Sequence, residues 1–90
     1  MSAYAITARP AVKRDLKALD AETLSLADTA ILALATNPRP EGCKKLRGTT
    51  NIYRVKLRTP HGPYRILYKV DDRNKTVEVQ RVAHRRDAYM

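Results

Sequence analysis

Positively charged side chains occupy every second position of one segment in the second half of the chain. Arg54, Lys56 and Arg58 alternate there with aromatic or aliphatic residues. A period of two is typical of a β-strand, whose successive side chains point to opposite faces of the sheet. The pattern therefore predicts a row of cations above a half-buried sheet, an arrangement that can bind phosphate groups.

Two later segments carry the same residue types. Residues 64–70 repeat the alternation, with Arg65 and Lys69 on one predicted face. Residues 84–89 then read His-Arg-Arg-Asp-Ala-Tyr and add a second cluster of basic and tyrosyl side chains. The sequence contains no serine or cysteine triad, paired acidic site or glycine-rich phosphate loop that competes with these residues as a catalytic motif.

The charge of the chain is large and uneven. Eighteen Lys and Arg against nine Asp and Glu give a net charge of +9. Residues 1–40 contribute five basic and four acidic side chains (5 − 4 = +1), whereas residues 41–90 contribute thirteen and five (13 − 5 = +8). This distribution favours a polyanionic partner, with nucleic acid first, although a solvated basic surface that serves only solubility is the alternative.

Length and composition limit the remaining possibilities. Ninety residues, 43% of them hydrophobic, predict one domain over residues 1–90. Cys43 is the single cysteine, so no internal disulfide can form, and no Cys and His cluster predicts a metal or other cofactor. The sequence has no apolar run of membrane-spanning length. We expect a cytoplasmic protein that requires neither a metal nor a cofactor.

The first half predicts a strand followed by two helices. Alternation near residues 3–7 indicates a short strand, and Val12, Leu16 and Leu19 recur at the spacing of an amphipathic helix over about residues 10–19. Asp20 can cap a second helix, which the two prolines in residues 37–40 end. The two helices should form a hairpin.

The second half predicts three strands after a loop over residues 42–51. The alternating segments are residues 52–58, 64–70 and 76–83, and the last breaks its alternation between Val79 and Val82, which indicates a β-bulge. The fold class is therefore α+β: an N-terminal strand, a two-helix hairpin and a three-stranded antiparallel meander in one sheet packed on the helices. Three tyrosines, Tyr53, Tyr64 and Tyr68, share the apolar strand faces and are interpreted as core packing.

Four short segments in this order resemble the RelE toxins of the RelE/ParE superfamily: residues 45–48, 53–57, 64–68 and 84–89. The resemblance covers nearly the whole chain. It implies a compact antiparallel sheet against two helices and a cognate acidic antitoxin that forms a hetero-oligomer with the toxin. RelE-like members cleave mRNA in the ribosomal A site, whereas ParE-like members poison DNA gyrase without hydrolysing nucleic acid.

The resemblance also implies the site. The catalytic positions correspond to Arg54, Lys56, Arg65, Arg85 and Tyr89, although the family often has lysine where this chain has Arg54. Contacts with RNA and the ribosome are expected from the neighbouring basic residues Lys44, Lys45, Arg47, Arg58, His84 and Arg86.

These residue types suit metal-independent cleavage of RNA by attack of the 2′-hydroxyl. Lys56 and Arg65 would stabilise the charge of the transition state, and Arg54 and Arg85 would orient the phosphate. Tyr89 is the proposed general base because surrounding positive charge should lower the pKa of its phenol, and His84 is the alternative. The sequence therefore predicts a ribosome-dependent endoribonuclease, with a gyrase inhibitor or a plain nucleic-acid-binding module as alternatives.

Overall fold

The computed structural model of the protein describes residues 3–84. Over these residues the chain forms seven elements: β1 (Ala5–Ala8), α1 (Pro10–Lys17), α2 (Ala21–Ala33), β2 (Lys44–Lys45), β3 (Ile52–Thr59), β4 (Gly62–Asp71) and β5 (Thr76–His84). This confirms the predicted α+β class and the predicted order of a strand, a helical hairpin and a three-stranded meander.

The two helices begin where the sequence predicts. Pro10 occupies the first turn of α1, where its missing N–H costs no intrahelical bond. Asp20 caps α2, and its carboxylate accepts a hydrogen bond from the backbone N–H of Thr23 at 3.5 Å. The pKa of Asp20 lies below its ordinary value, first because of the Thr23 side chain and then because of this backbone bond. Helix α1 ends at Lys17, two residues before the predicted end.

The strands lie in the order β1-β5-β4-β3-β2. The pairs β3/β4 and β4/β5 are antiparallel, as predicted. Two features differ from the sequence prediction: β1 pairs with β5 in parallel, and β2 forms within the segment predicted as a loop. Parallel strands need a long connection. The chain between β1 and β5 contains both helices and three strands, and it brings the start of β5 next to the start of β1.

One face of the sheet packs on α2 to form the core. Thr23, Ala27 and Ile31 of α2 are buried, together with Leu34, which follows it. The sheet contributes residues that alternate along its strands, chiefly Leu57, Ile66, Tyr68, Val70, Val77, Val79 and Val82. Tyr68 is fully buried, and Tyr53 and Tyr64 pack against the same cluster, which confirms that these tyrosines serve packing.

Strand β5 carries the predicted bulge. Leu67 lies opposite Arg81, but the next residue, Tyr68, lies opposite Val79, so Gln80 is the extra residue. Beyond this point α1 replaces β1 beside β5. The Asp15 carboxylate accepts hydrogen bonds from the backbone N–H of Val82 and from Nε of Arg81, both at 2.9 Å.

An ionic cluster joins three distant segments at the other end of β1. Arg39 donates two hydrogen bonds to the carboxylate of Asp72, at 2.8 and 3.1 Å, and Tyr4 donates a third at 2.6 Å. Arg39 also donates to the hydroxyl of Tyr53 at 3.0 Å. The bonds from Arg39 and Tyr4 lower the pKa of Asp72 to about 2, and the bond to Asp72 raises the pKa of Tyr4.

Neither helix within residues 3–84 has the length and apolar character needed to cross a membrane.

Candidate nucleic-acid interface

The outer face of the sheet, defined as the face opposite the core, carries the predicted row of cations. Leu57 is buried in the core, so Arg54, Lys56 and Arg58 leave β3 on the outer face. The register places Lys56 directly opposite Arg65 of β4. It also places Lys44 of β2 directly opposite Arg54. Cβ atoms of such opposed residues are roughly 4.5–5.5 Å apart, so these cations crowd together.

Together these residues line a depression of about 390 Å³, named here the basic depression. Its lining comprises Glu41, Gly42, Lys44, Arg54, Val55, Lys56, Arg58 and Arg65. Among the described residues of the lining, Glu41 supplies one carboxylate against five cationic side chains, so this lining has an excess of positive charge. Guanidinium groups can bind a phosphate through two parallel hydrogen bonds, and fixed cations stabilise negative charge that develops in a transition state.

The opposed cations oppose folding. Like charges directly across two strands destabilise a sheet, whereas opposite charges in the same positions stabilise it. Lys56 with Arg65 and Lys44 with Arg54 both break this rule. Departures from such rules are typical of functional sites. There the repulsion destabilises the protein without ligand, and binding of an anionic ligand removes that repulsion.

Five of the predicted site residues therefore lie together: Lys44, Arg54, Lys56, Arg58 and Arg65. Lys45 lies opposite Tyr53, so alternation directs it to the other face of the sheet. Arg47 is exposed in the loop before β3 and does not line the depression. The sequence prediction did not include Glu41, because only the pairing of β2 with β3 brings its loop to the outer face.

His84 occupies a different place. It lies opposite Tyr64 on β4, and the two rings meet edge to face with their centroids 5.2 Å apart. Its Nε2 atom lies 3.2 Å from the backbone oxygen of His61. His84 lines a second cavity with Arg14 and Arg81, away from the basic depression. The other predicted site residues of the tail, Arg85, Arg86 and Tyr89, lie outside the described residues.

Comparison with known proteins places the chain in a family. The profile described as "ParE toxin of type II toxin-antitoxin system, parDE" matches residues 6–89. The chain belongs to this toxin family. The match covers nearly the whole chain and, together with the structural matches below, confirms the predicted membership of the RelE/ParE superfamily of type II toxins. No curated protein matches its sequence.

Among the solved structures similar to this toxin are RelE toxins and their complexes. A double mutant of E. coli RelE in the free state has 25% identity and a TM-score of 0.79, with 97% of this chain and 88% of that chain covered. The toxin–antitoxin complex RelBE2 of Mycobacterium tuberculosis has 29% identity, a TM-score of 0.79 and 97% coverage of each chain. The intact E. coli RelBE complex has 27% identity, a TM-score of 0.77, and 91% and 96% coverage.

Proposed function

We propose that this toxin is a metal-independent endoribonuclease that cleaves mRNA in the ribosomal A site and so inhibits translation. The observation that carries the proposal is the basic depression, in which Lys56 and Arg65 are directly opposed on two paired strands. Cations held on a sheet need little reorganisation when charge develops on a bound phosphate. The similarity to RelE structures supports the same activity.

The proposed reaction is a transesterification within the RNA. The 2′-oxygen attacks the adjacent phosphorus and forms a new O–P bond while the bond from phosphorus to the 5′-oxygen breaks. The products are a 2′,3′-cyclic phosphate and a free 5′-hydroxyl, and the proton lost by the 2′-hydroxyl is balanced by the proton gained at the 5′-oxygen. In this scheme Lys56 and Arg65 stabilise the added negative charge and Arg54 orients the phosphate.

Proton transfer is assigned to the tail. Tyr89 is the proposed base and Arg85 binds the phosphate; His84 is the weaker alternative base, because it lines a separate cavity. Ala83 lies opposite Arg65, which lines the basic depression. Arg85 follows Ala83 by two positions in the sequence. General acid and base catalysis contributes roughly 10²–10⁴-fold to a rate, so loss of either function should be measurable.

The proposed partners are the ribosome with its mRNA and a cognate acidic antitoxin. The E. coli and M. tuberculosis structures above include RelE toxins bound to antitoxins. A chain with a net charge of +9 suits an acidic antitoxin in a hetero-oligomeric complex. We further propose that residues 1–90 act as a single toxin domain in the cytoplasm, where ribosomes are available.

The test is mapping of mRNA 5′ ends by primer extension in a translating extract. The wild-type protein should produce codon-periodic cuts that require ribosomes. Arg65→Ala should reduce cleavage at least about hundredfold, because it removes a preorganised cation from the transition state. Arg73→Ala, which removes an exposed cation from the turn between β4 and β5, is the matched control and should cleave normally. Unchanged cleavage by Arg65→Ala would refute the proposed site.

The second candidate function is inhibition of DNA gyrase without nuclease activity. The observation that favours it is that the matching family profile is that of ParE toxins. A supercoiling assay with the same protein preparation separates the two functions. Gyrase inhibition with intact mRNA would replace the endoribonuclease proposal, whereas ribosome-dependent cuts without gyrase inhibition would support it.

A further inference from the structure

Another depression, named here the apolar groove, lies on the outer face beside the basic depression and is distinct from the cavity that His84 lines. Its floor consists of Leu46, Ile52 and Leu67, and its volume is about 520 Å³. Leu67 lies directly opposite Arg54, so the groove and the basic depression occupy neighbouring positions on the same two strands. The three apolar side chains are half-buried.

The apolar groove has cations on both sides. Arg9, Arg14 and Arg81 line it at the end nearest α1, and Lys44 and Arg54 lie in the adjoining basic depression. A single-stranded RNA has a complementary pattern, because its phosphates are anionic while the flat faces of its bases are weakly hydrated. In a double helix those faces are stacked and unavailable.

The bulge in β5 adds an oriented amide to the groove. Gln80 is the extra residue of the bulge, and both Gln80 and Arg81 line the groove. Arg9 donates a hydrogen bond to Oε1 of Gln80 at 2.9 Å, and Nε2 of Gln80 donates to Glu78 at 2.7 Å. These two bonds fix which way the amide faces and leave its second N–H to donate to another group. Bulges commonly direct a side chain toward a binding site.

We propose that the apolar groove seats one nucleobase of the RNA whose phosphate occupies the basic depression, and that Gln80 reads the edge of that base. The groove would then determine the sequence preference of cleavage. The inference rests on the proposed function in one respect, namely that RNA is the substrate. The chemistry of the site is that of a base seat: an apolar floor for the ring, an oriented amide for its edge and flanking cations for the backbone.

The binding test uses two uncleavable single-stranded 2′-O-methyl hexanucleotides, one complete and one with an abasic residue at its centre. Both have the same phosphates, so only a base seat distinguishes them. By fluorescence anisotropy the wild-type protein should bind the abasic oligonucleotide about tenfold more weakly, as expected for the loss of one packed base. Equal affinity for the two oligonucleotides would overturn the proposal.

The variant for this assay is Leu67→Lys, with Leu32→Lys as its matched control. Leu32 is an exposed leucine on α2, 66% accessible, and the two substitutions change the net charge equally. Leu67→Lys should lose the preference for the complete oligonucleotide although it adds a cation, whereas Leu32→Lys should keep it. Circular dichroism confirms that both variants are folded. A preference retained by folded Leu67→Lys would exclude the groove as the seat.

Cleavage mapping separates failure of this inference from failure of the proposed function. If the wild type cuts mRNA, Gln80→Ala should lose the preference for one base at one codon position. Cuts at unchanged sites in both Gln80→Ala and Leu67→Lys would overturn the inference and leave the nuclease in place. If the wild type cuts nothing yet discriminates against the abasic oligonucleotide, the proposed function fails and the base seat stands. If an acidic peptide, but not RNA, slowed amide hydrogen exchange around Leu67, the groove would be reassigned to a protein partner.

Discussion

At the scale of single residues, Lys56 destabilises the sheet and also belongs to the proposed cleavage site. It lies directly opposite Arg65, and opposed like charges destabilise a sheet by roughly 0.2–1 kcal/mol. Lys56→Gln should therefore raise the free energy of unfolding by about 0.5 kcal/mol while lowering mRNA cleavage. Urea denaturation at low ionic strength measures the first effect. The stabilisation should vanish in about 1 M salt, where the Debye length falls to about 3 Å.

The matched control for this prediction is Arg73→Gln, which removes one exposed cation from the turn between β4 and β5. Its stability should remain close to that of the wild type. An equal gain in stability from Arg73→Gln would mean that the total charge of +9, and not the opposed pair, causes the effect.

Thr23 is a buried residue whose side chain carries a hydroxyl group. Its side chain is fully buried in α2, and its hydroxyl lies near the Asp20 carboxylate but meets no acceptor with good hydrogen-bond geometry among residues 3–84. An unsatisfied buried group costs about 1–3 kcal/mol, so Thr23→Val should stabilise the protein by about 1 kcal/mol. Thr23→Ser, which keeps the hydroxyl and loses the methyl group, should be destabilising. Thermal and urea unfolding of the pair measure the difference, and a destabilised Thr23→Val would show that the hydroxyl is bonded in solution.

Part of the candidate site could be predicted from the sequence at this scale. Alternation alone assigned Arg54, Lys56 and Arg58 to one face, because a strand leaves no other arrangement. The contrast between Lys44 and Lys45 could not be predicted, since their faces depend on the pairing of a two-residue strand with β3. Local sequence determines the alternation within a strand, whereas long-range pairing determines which strands meet.

At the scale of elements, one carboxylate joins α1 to β5. Asp15 is 14% exposed and accepts hydrogen bonds from both the side chain of Arg81 and the backbone of Val82. Asp15→Ala would remove the acceptor from both donors and should lower the free energy of unfolding by about 2 kcal/mol. Chemical denaturation checks this prediction. Asp28→Ala, on the exposed side of α2, is the control and should change stability little.

The order of the elements was predictable, but one pairing direction was not. The helix ends carry local signals, Pro10 and Asp20, and both helices start at them. The bulge at Gln80 also has a local signal, because the apolar spacing between Val79 and Val82 changes there. The parallel direction of β1 has no such signal, since nothing in the four residues Ala5–Ala8 specifies the direction of pairing. Only the path of the chain through α1 and α2 decides it.

At the scale of the whole molecule, the ionic cluster of Tyr4, Arg39 and Asp72 joins β1, the segment after α2 and the turn between β4 and β5. The pKa of Asp72 is about 2 in the folded chain, below the ordinary value of about 3.9 for an unfolded chain. A lowered carboxyl pKa stabilises the fold above the unfolded pKa, and this contribution disappears as the pH falls through the folded pKa. The relevant window is therefore about pH 4 down to about pH 2.

The prediction is that the wild type unfolds at a higher temperature than Asp72→Asn near neutral pH and that the difference narrows between about pH 4 and pH 2. Thermal unfolding followed by circular dichroism over this range measures it. Asp28→Asn should show no comparable pH-dependent difference, because Asp28 is an exposed carboxylate outside this cluster. A constant difference between wild type and Asp72→Asn down to about pH 2 would contradict the role of the ion pair.

Strand β2 has one more consequence, which concerns self-association. It lies at the edge of the sheet, it is two residues long, and both residues are lysines. An exposed sheet edge is a template on which another chain can add a strand, and short, lysine-rich edges prevent such growth. Lys44 therefore protects the protein from aggregation with the same charge that it directs toward the basic depression. Neutralising it would make the purified toxin less soluble and would weaken the proposed binding of phosphate.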